Sequence, residues 1–226
     1  MSLSVIILAA GKGSRMKKNE NKVYIELNSK KVIDYSLRVF DSLDYVDEIV
    51  CVYASGEKRL IEERVRLNVQ NKATKLVLGG KERKDSVSNA LKVISRQSAY
   101  FAIHDGARPL IDRVLMDHLY EKVIELDAII PVIQVKDTIK EVKNLAVTKT
   151  LNRKALVAVQ TPQLFNSEYK NLIIDNDDNK TDDASYIEGS FPVFTTKGSE
   201  YNIKLTTPVD IWLAEAILRK VDKFNW

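Results

Sequence analysis

The 226 residues suit one α/β domain, and a 45% apolar content supplies ample material for a continuous core. With 35 basic against 31 acidic side chains the net charge is only +4, which argues against a dedicated nucleic-acid binder. A single cysteine excludes an internal disulfide and points to a reducing cytoplasm, and no apolar run reaches the length of a membrane span. Two histidines far apart make a histidine-rich zinc site unexpected.

The chain begins at once with strand-like sequence, so no signal peptide is expected. Residues 5–8 form an apolar run that reads as a buried strand. It feeds Ala9-Ala10-Gly11-Lys12-Gly13-Ser14-Arg15-Met16, followed by Lys17, Lys18 and Lys22. The two alanines leave room for a flat ligand, and the glycines permit backbone N–H groups to turn toward one anion. A strand opening into a glycine-rich basic loop suits a ligand with several phosphates. The loop is neither a dinucleotide fingerprint, since Met16 stands where the third glycine belongs, nor a Walker A loop, which ends in Gly-Lys-Ser/Thr. A purely structural glycine turn with solvated charges is the alternative.

Helical patterns follow at 32–40, 60–67, 87–94 and 114–126, alternating with strand-like runs at 49–53, 76–78, 100–103 and 128–135. Such β-α repetition predicts a mostly parallel sheet covered on both faces, with ligands at the carboxyl ends of its strands. Cys51 falls inside a strand and reads as a small core residue. Residues 136–159 break the rhythm. Their two strands, 138–142 and 147–151, have little apolar surface to bury, and an isolated hairpin is marginal in water. A second copy of the chain is the expected partner, an ordinary surface excursion the alternative. A closing helix is expected at 210–221.

Further signals sit between these elements. Gly79-Gly80-Lys81-Glu82-Arg83-Lys84-Asp85-Ser86 is a second glycine turn opening a helix, able to meet a base or phosphate or simply to cap the helix. His104-Asp105-Gly106-Ala107-Arg108-Pro109 places a carboxylate and a guanidinium at a strand end, suited to a metal, a hydroxyl or a phosphate, or to an ion pair stapling a turn. Gln160-Thr161-Pro162-Gln163 reads as a loop. Thr181-Asp182-Asp183-Ala184 reads as a helix cap, and Lys204 as an exposed lysine in a short strand-like run.

In order and spacing these segments resemble the 2-C-methyl-D-erythritol 4-phosphate cytidylyltransferases of the non-mevalonate isoprenoid pathway, from Ile6 to Ala216. The first motif is shared by sugar nucleotidyltransferases broadly; the Gly-Gly-x-x-Arg-x-x-Ser-Val, His-Asp-Gly-Ala-Arg-Pro, Asp137-Thr138-Ile139, Gln-Thr-Pro-Gln and Asn-Ile-Lys segments are more specific. The resemblance implies a Rossmann-like three-layer α/β/α nucleotidyltransferase fold, one domain with residues 136–159 as a dimerising β-arm. It implies transfer of a cytidylyl group from CTP to methylerythritol phosphate with Mg2+, in a homodimer that binds neither nucleic acid nor membrane. On that basis Arg15 and Lys22 would stabilise transition-state charge, and Ala9, Ala10, Gly11, Gly80, Arg83 and Ser86 would frame the nucleotide. Asp105, Arg108, Thr161, Thr181 and Lys204 would hold the polyol phosphate. Asp105 would also reach the metal, and Thr138 and Arg153 would complete the neighbouring subunit's site. Two departures stand out: Lys22 lies between Asn21 and Val23 instead of proline and glutamine, and Lys81 replaces a frequent acid. Ribitol-5-phosphate cytidylyltransferases share several motifs but differ at 8–11 and 106–109, and remain the alternative. A noncatalytic nucleotide-binding protein would have no need of Lys22 or Lys204.

Overall fold

The computed structural model describes residues 2–11, 21–176 and 178–221. In chain order, β1 (Leu3–Leu8) leads to a short hairpin of β2 (Glu26–Leu27) and β3 (Lys30–Lys31), then α1 (Val32–Asp41), β4 (Val46–Tyr53) and α2 (Lys58–Asn68). Next come β5 (Ala73–Leu78), α3 (Arg83–Leu91), β6 (Tyr100–Asp105), α4 (Arg113–Leu126) and β7 (Ala128–Gln134). The last part holds β8 (Lys140–Lys143), β9 (Ala146–Thr150), β10 (Val157–Val159), β11 (Gln163–Asn166), α5 (Lys170–Ile174), β12 (Phe194–Lys197) and α6 (Pro208–Val221).

Apolar strands dictate the sheet. β1 lies between β4 and β6, parallel to both, and β5 extends the parallel run beyond β4. β11 inserts antiparallel between β6 and β7; β10 runs antiparallel and β12 parallel to β7. Strand alternation sends Leu3, Val5 and Ile7 to one face, against Ile33, Leu37 and Phe40 of α1 and Leu119 of α4. Ile6, Val52, Phe101 and Ile103 meet Val87 and Leu91 of α3 on the other face. The result is the three-layer α/β/α arrangement, with each fully buried aliphatic or aromatic side chain contributing about 1.5–3 kcal/mol. α6 closes one side over Leu27, Val32, Leu110 and Leu205. No helix among the described residues is long and apolar enough to cross a membrane.

Helix starts follow local chemistry. The Asp34 carboxylate accepts the Lys31 N–H at 2.9 Å, and Asp112 accepts from Leu115 N at 2.7 Å, each satisfying an orphan donor of the first turn. α3 begins at Arg83, four residues before the first periodic apolar position, because Asp85 accepts the Glu82 N–H at 3.1 Å.

The sequence expectation missed β11 and β12. Each is four residues long, and Pro162 directly precedes β11 across a cis Thr161–Pro162 bond. Neither has a pattern of its own; pairing with β6 and β7 makes them strands, and Phe165 packs on Phe101 with ring centroids 5.5 Å apart. The arm does form the expected hairpin. β8 and β9 pair antiparallel, their turn residues Asn144 and Leu145 have φ of 49° and 66°, and every residue of both strands is exposed.

Candidate active site

β1 and β6 run in register, so that Leu8 lies beside Asp105 and both strands end at one level. A cleft of about 310 Å³ opens there, lined among others by Ala10, Gly11, Lys22, Gly80, Ser86 and Lys204. Its nucleotide-sized wall depends on close packing. A Cβ at Gly79 would lie 2.5 Å from Ala10 Cβ and 2.9 Å from Ser86 Oγ, so only glycine lets the 79–86 turn approach β1. The Gly80 N–H donates to Ser86 Oγ at 3.1 Å, and that hydroxyl donates to the Glu82 carbonyl at 3.3 Å. Ser86 therefore shapes the loop as well as lining it.

Lys22 is aimed by its neighbour. Buried Asn21 donates through Nδ2 to the Ala9 carbonyl at 2.6 Å and to Glu57 Oε2 at 2.9 Å, which pins the chain to the end of β1. Asn21 stands at the position the resemblance assigns to proline, and fixes the chain by hydrogen bonds instead of by a ring. Lys204 is placed in the same way. On one side Asn202, fully buried, donates to the Thr161 carbonyl at 2.8 Å; on the other the Leu205 N–H donates to the Ala107 carbonyl at 2.8 Å.

Three cations converge on Asp105. Lys204 Nζ lies 2.8 Å from Oδ2, Arg108 Nε 3.8 Å from Oδ2, and Arg83 Nε 3.7 Å from Oδ1. Burial would push the Asp105 carboxyl up, but Arg83, Lys204 and Arg108 together hold it well below the usual carboxylate range. Arg83 uses both Nη atoms, each at 2.6 Å, to grip the fully buried Asp183. Burial disfavours the guanidinium charge, yet Asp183, Asp105 and Asp182 outweigh it and strengthen its protonation. His104 is fully buried beside these groups. Burial foremost pushes its pKa down, to about 4, against the upward pull of Asp105. Its Nε2 faces the Arg108 carbonyl at 3.1 Å, so the ring belongs to the backbone scaffold.

The expected site residues divide accordingly. Ala10, Gly11, Lys22, Gly80, Arg83, Ser86, Asp105 and Lys204 line the one cleft. Ala9 has its side chain fully buried in the core and its N–H donated to the Val52 carbonyl at 2.8 Å, so it can frame a ligand only through backbone, as expected from the sequence. Thr161 is buried behind the cleft, where its hydroxyl accepts the Asp105 N–H at 3.0 Å and helps hold the end of β6. Arg108 is also buried, with Nη1 donating to the Asn202 carbonyl at 2.7 Å. Thr181 is exposed on the loop before Asp183 and does not line the cleft. Thr138 and Arg153 border a separate hollow at the base of the arm, apart from their own chain's cleft. Arg15, with Lys12, Gly13, Lys17 and Lys18, lies outside the described residues.

Sequence reasoning missed Asp183, Asn21, Asn202 and Gln160. Doubled acids at 182–183 gave one usable signal, since a cap needs only one. Asp182 does cap, accepting the Ser185 N–H at 3.3 Å, while Asp183 turns inward to Arg83.

Neutral His104 makes stability depend on pH. Its folded pKa of about 4 lies below the ordinary 6.5, so the unfolded chain takes up the proton first and stability is lost as pH falls from 6.5 toward 4. Lowering the pH from 7 to 4.5 should cost about 2–3 kcal/mol through this residue alone. Urea titrations of wild type and His104→Asn at both pH values measure it. An equal fall in both proteins would contradict the assignment.

The family model of 2-C-methyl-D-erythritol 4-phosphate cytidylyltransferase matches residues 3–220. Among curated relatives of that name, the protein of Halalkalibacterium halodurans is 39% identical, spanning 99% of this chain and 100% of its own length. That of Clostridium tetani is 42% identical, spanning 95% and 89%. The crystal structure of 4-diphosphocytidyl-2C-methyl-D-erythritol synthase from Anaerococcus prevotii DSM 20548 superposes with a TM-score of 0.84 at 27% identity, covering 96% of this chain and 98% of that one. The chain belongs to the 2-C-methyl-D-erythritol 4-phosphate cytidylyltransferase family.

Proposed function

We propose that the protein transfers the cytidylyl group of CTP to 2-C-methyl-D-erythritol 4-phosphate, giving 4-diphosphocytidyl-2-C-methyl-D-erythritol and pyrophosphate. The observation that carries this reading is the cleft in which a close-packed glycine wall at 79–86 meets Lys22 and the Asp105–Lys204 pair. A phosphate oxygen of the polyol attacks the α-phosphorus of CTP; the new P–O bond forms as the bond to the β-phosphate oxygen breaks, and pyrophosphate leaves. A phosphomonoester has a second pKa near 6 and is largely dianionic at neutral pH, so the attack requires no general base. Buried, neutral His104, turned toward backbone, is consistent with that.

The protein's task is to bring two anions together and neutralise charge that grows in the transition state. Lys22 and Arg15 take that role on the nucleotide side, and Lys204, held by Asp105 at 2.8 Å, meets the polyol phosphate with its remaining ammonium donors. Among the described residues no cluster of three or more His, Cys, Asp or Glu side chains could hold a metal alone. Mg2+ would be held mainly by the triphosphate. Asp105, which lines the cleft, would offer it Oδ1, 3.7 Å from Arg83 Nε and outside hydrogen-bonding range. Bound there, the ion would supply charge neutralisation on the phosphates. The buried lone Cys51 suits the reducing cytoplasm in which we place the reaction.

Pyrophosphate release tests the reading. CTP with methylerythritol phosphate should support turnover, ribitol 5-phosphate should not, and Lys22→Ala and Arg15→Ala should each lower kcat by about 100-fold. Turnover with ribitol 5-phosphate alone would transfer the chain to the other substrate, and silence with both would favour a noncatalytic binder.

The arm supports a homodimer. All of β8 and β9 is exposed, including Val142 and Val147, as is Leu145 in the turn, so the hairpin lacks a core of its own. In a two-fold pair, each arm would bring Thr138 and Arg153 to the neighbour's cleft. Arg153→Ala and Lys204→Ala, each inactive alone, would then recover about one quarter of wild-type activity on co-refolding, since about half the dimers are mixed and hold one intact site. No recovery despite confirmed subunit exchange would rule out the exchanged arms.

A further inference from the structure

We infer that Asp183 is a positioning residue: through Arg83 it fixes the Asp105 carboxylate, and with it Lys204, in the arrangement that accepts the phosphorylated polyol. The inference rests on the reaction proposed above, and concerns a residue that touches neither substrate.

Asp183 has no exposed surface, so its charge must be met inside the protein. Arg83 meets it with two parallel bonds of 2.6 Å. A guanidinium is planar, and a fork held at both Nη atoms has no freedom left to rotate. The direction of its Nε is therefore set by Asp183. That Nε stands 3.7 Å from Asp105 Oδ1, near enough to attract the carboxylate and too far to hydrogen-bond it. Asp105 thus keeps Oδ2 for Lys204 at 2.8 Å and leaves Oδ1 for a ligand in the cleft.

Asp183 is itself anchored. Gln163, buried at the start of β11, accepts the Ala184 N–H at 3.0 Å and donates to Asp182 Oδ2 at 3.1 Å. A chain of contacts therefore runs from β11 through the 182–184 loop, Asp183 and Arg83 to Asp105 and Lys204. It joins the nucleotide wall, whose helix α3 starts at Arg83, to the lysine assigned to the second substrate. Without Asp183 the Arg83 fork would turn onto Asp105, its other carboxylate neighbour, and displace Lys204.

An ion pair that merely ties α3 to the loop would share this geometry, so the test separates the two roles. In Asp183→Asn, kcat should fall at least about tenfold and the KM for methylerythritol phosphate should rise severalfold, while the CTP affinity stays within about threefold. The double variant Arg83→Gln/Asp183→Asn removes both buried charges and keeps a neutral pair. It should regain most of the melting temperature that Asp183→Asn loses, while kcat and the KM for methylerythritol phosphate stay impaired. Recovery of both kinetic values in the double variant would overturn the proposal, as would wild-type values per folded molecule in Asp183→Asn. If Asp183→Asn fails to fold, Asp183→Glu, which keeps the charge but shifts the fork, takes its place: the same fall in kcat and rise in KM for methylerythritol phosphate is expected, and wild-type values would overturn the proposal. Calorimetric titration of methylerythritol phosphate onto CTP-loaded protein reads the same effect without turnover, with binding at least about tenfold weaker in the double variant expected and equal binding contradicting it. Wild type that binds both substrates yet releases no pyrophosphate would fail the reaction and leave the positioning role to that titration.

Discussion

One carboxylate organises this site. Asp105 sits at the end of a fully buried strand with Arg83, Arg108 and Lys204 around it, and those cations arrive from three separate stretches of chain. Without the anion, three positive charges converging at the end of one strand would repel one another in a poorly screened environment. With it, they remain apart and oriented before any ligand enters. The low carboxyl pKa expresses the same balance, because ionised Asp105 is what the cations stabilise.

The fold makes the convergence possible. Parallel pairing of β1 with β6 brings the end of β1 level with Asp105, and parallel β4 and β5 carry the second glycine turn to the same height. Buried polar links then fix the irregular segments: Asn21 to Ala9 and Glu57, Thr161 to the Asp105 N–H, Asn202 to Thr161, and Gln160 to Ser199 at 2.8 Å. These bonds hold loops that no helix or strand ladder restrains, and each would leave an unpaired buried group if cut. Rigidity at the cleft therefore comes from buried side-chain links behind it.

Much of this was legible in the sequence, where the physics is local. Alternating apolar runs gave the parallel core, and the glycine turns and clustered cations marked the cleft at the strand ends. β11 and β12 were not legible because tertiary pairing creates them from four-residue segments of unremarkable composition. Ala9 and Thr161 belong to site motifs, yet their side chains point into the core and into the backbone, a distinction of orientation that a motif does not carry. Asp183 escaped because its partner is 100 residues away in the chain. A buried acid is recognisable only once the fold shows what neutralises it.

The most direct test of Asp105 as the organising anion is calorimetric titration of pyrophosphate without Mg2+ onto wild type and Asp105→Asn. Removing the negative charge on which the three cations converge should tighten pyrophosphate binding severalfold, while turnover of CTP collapses. Equal or weaker pyrophosphate binding by a folded Asp105→Asn protein would contradict the account.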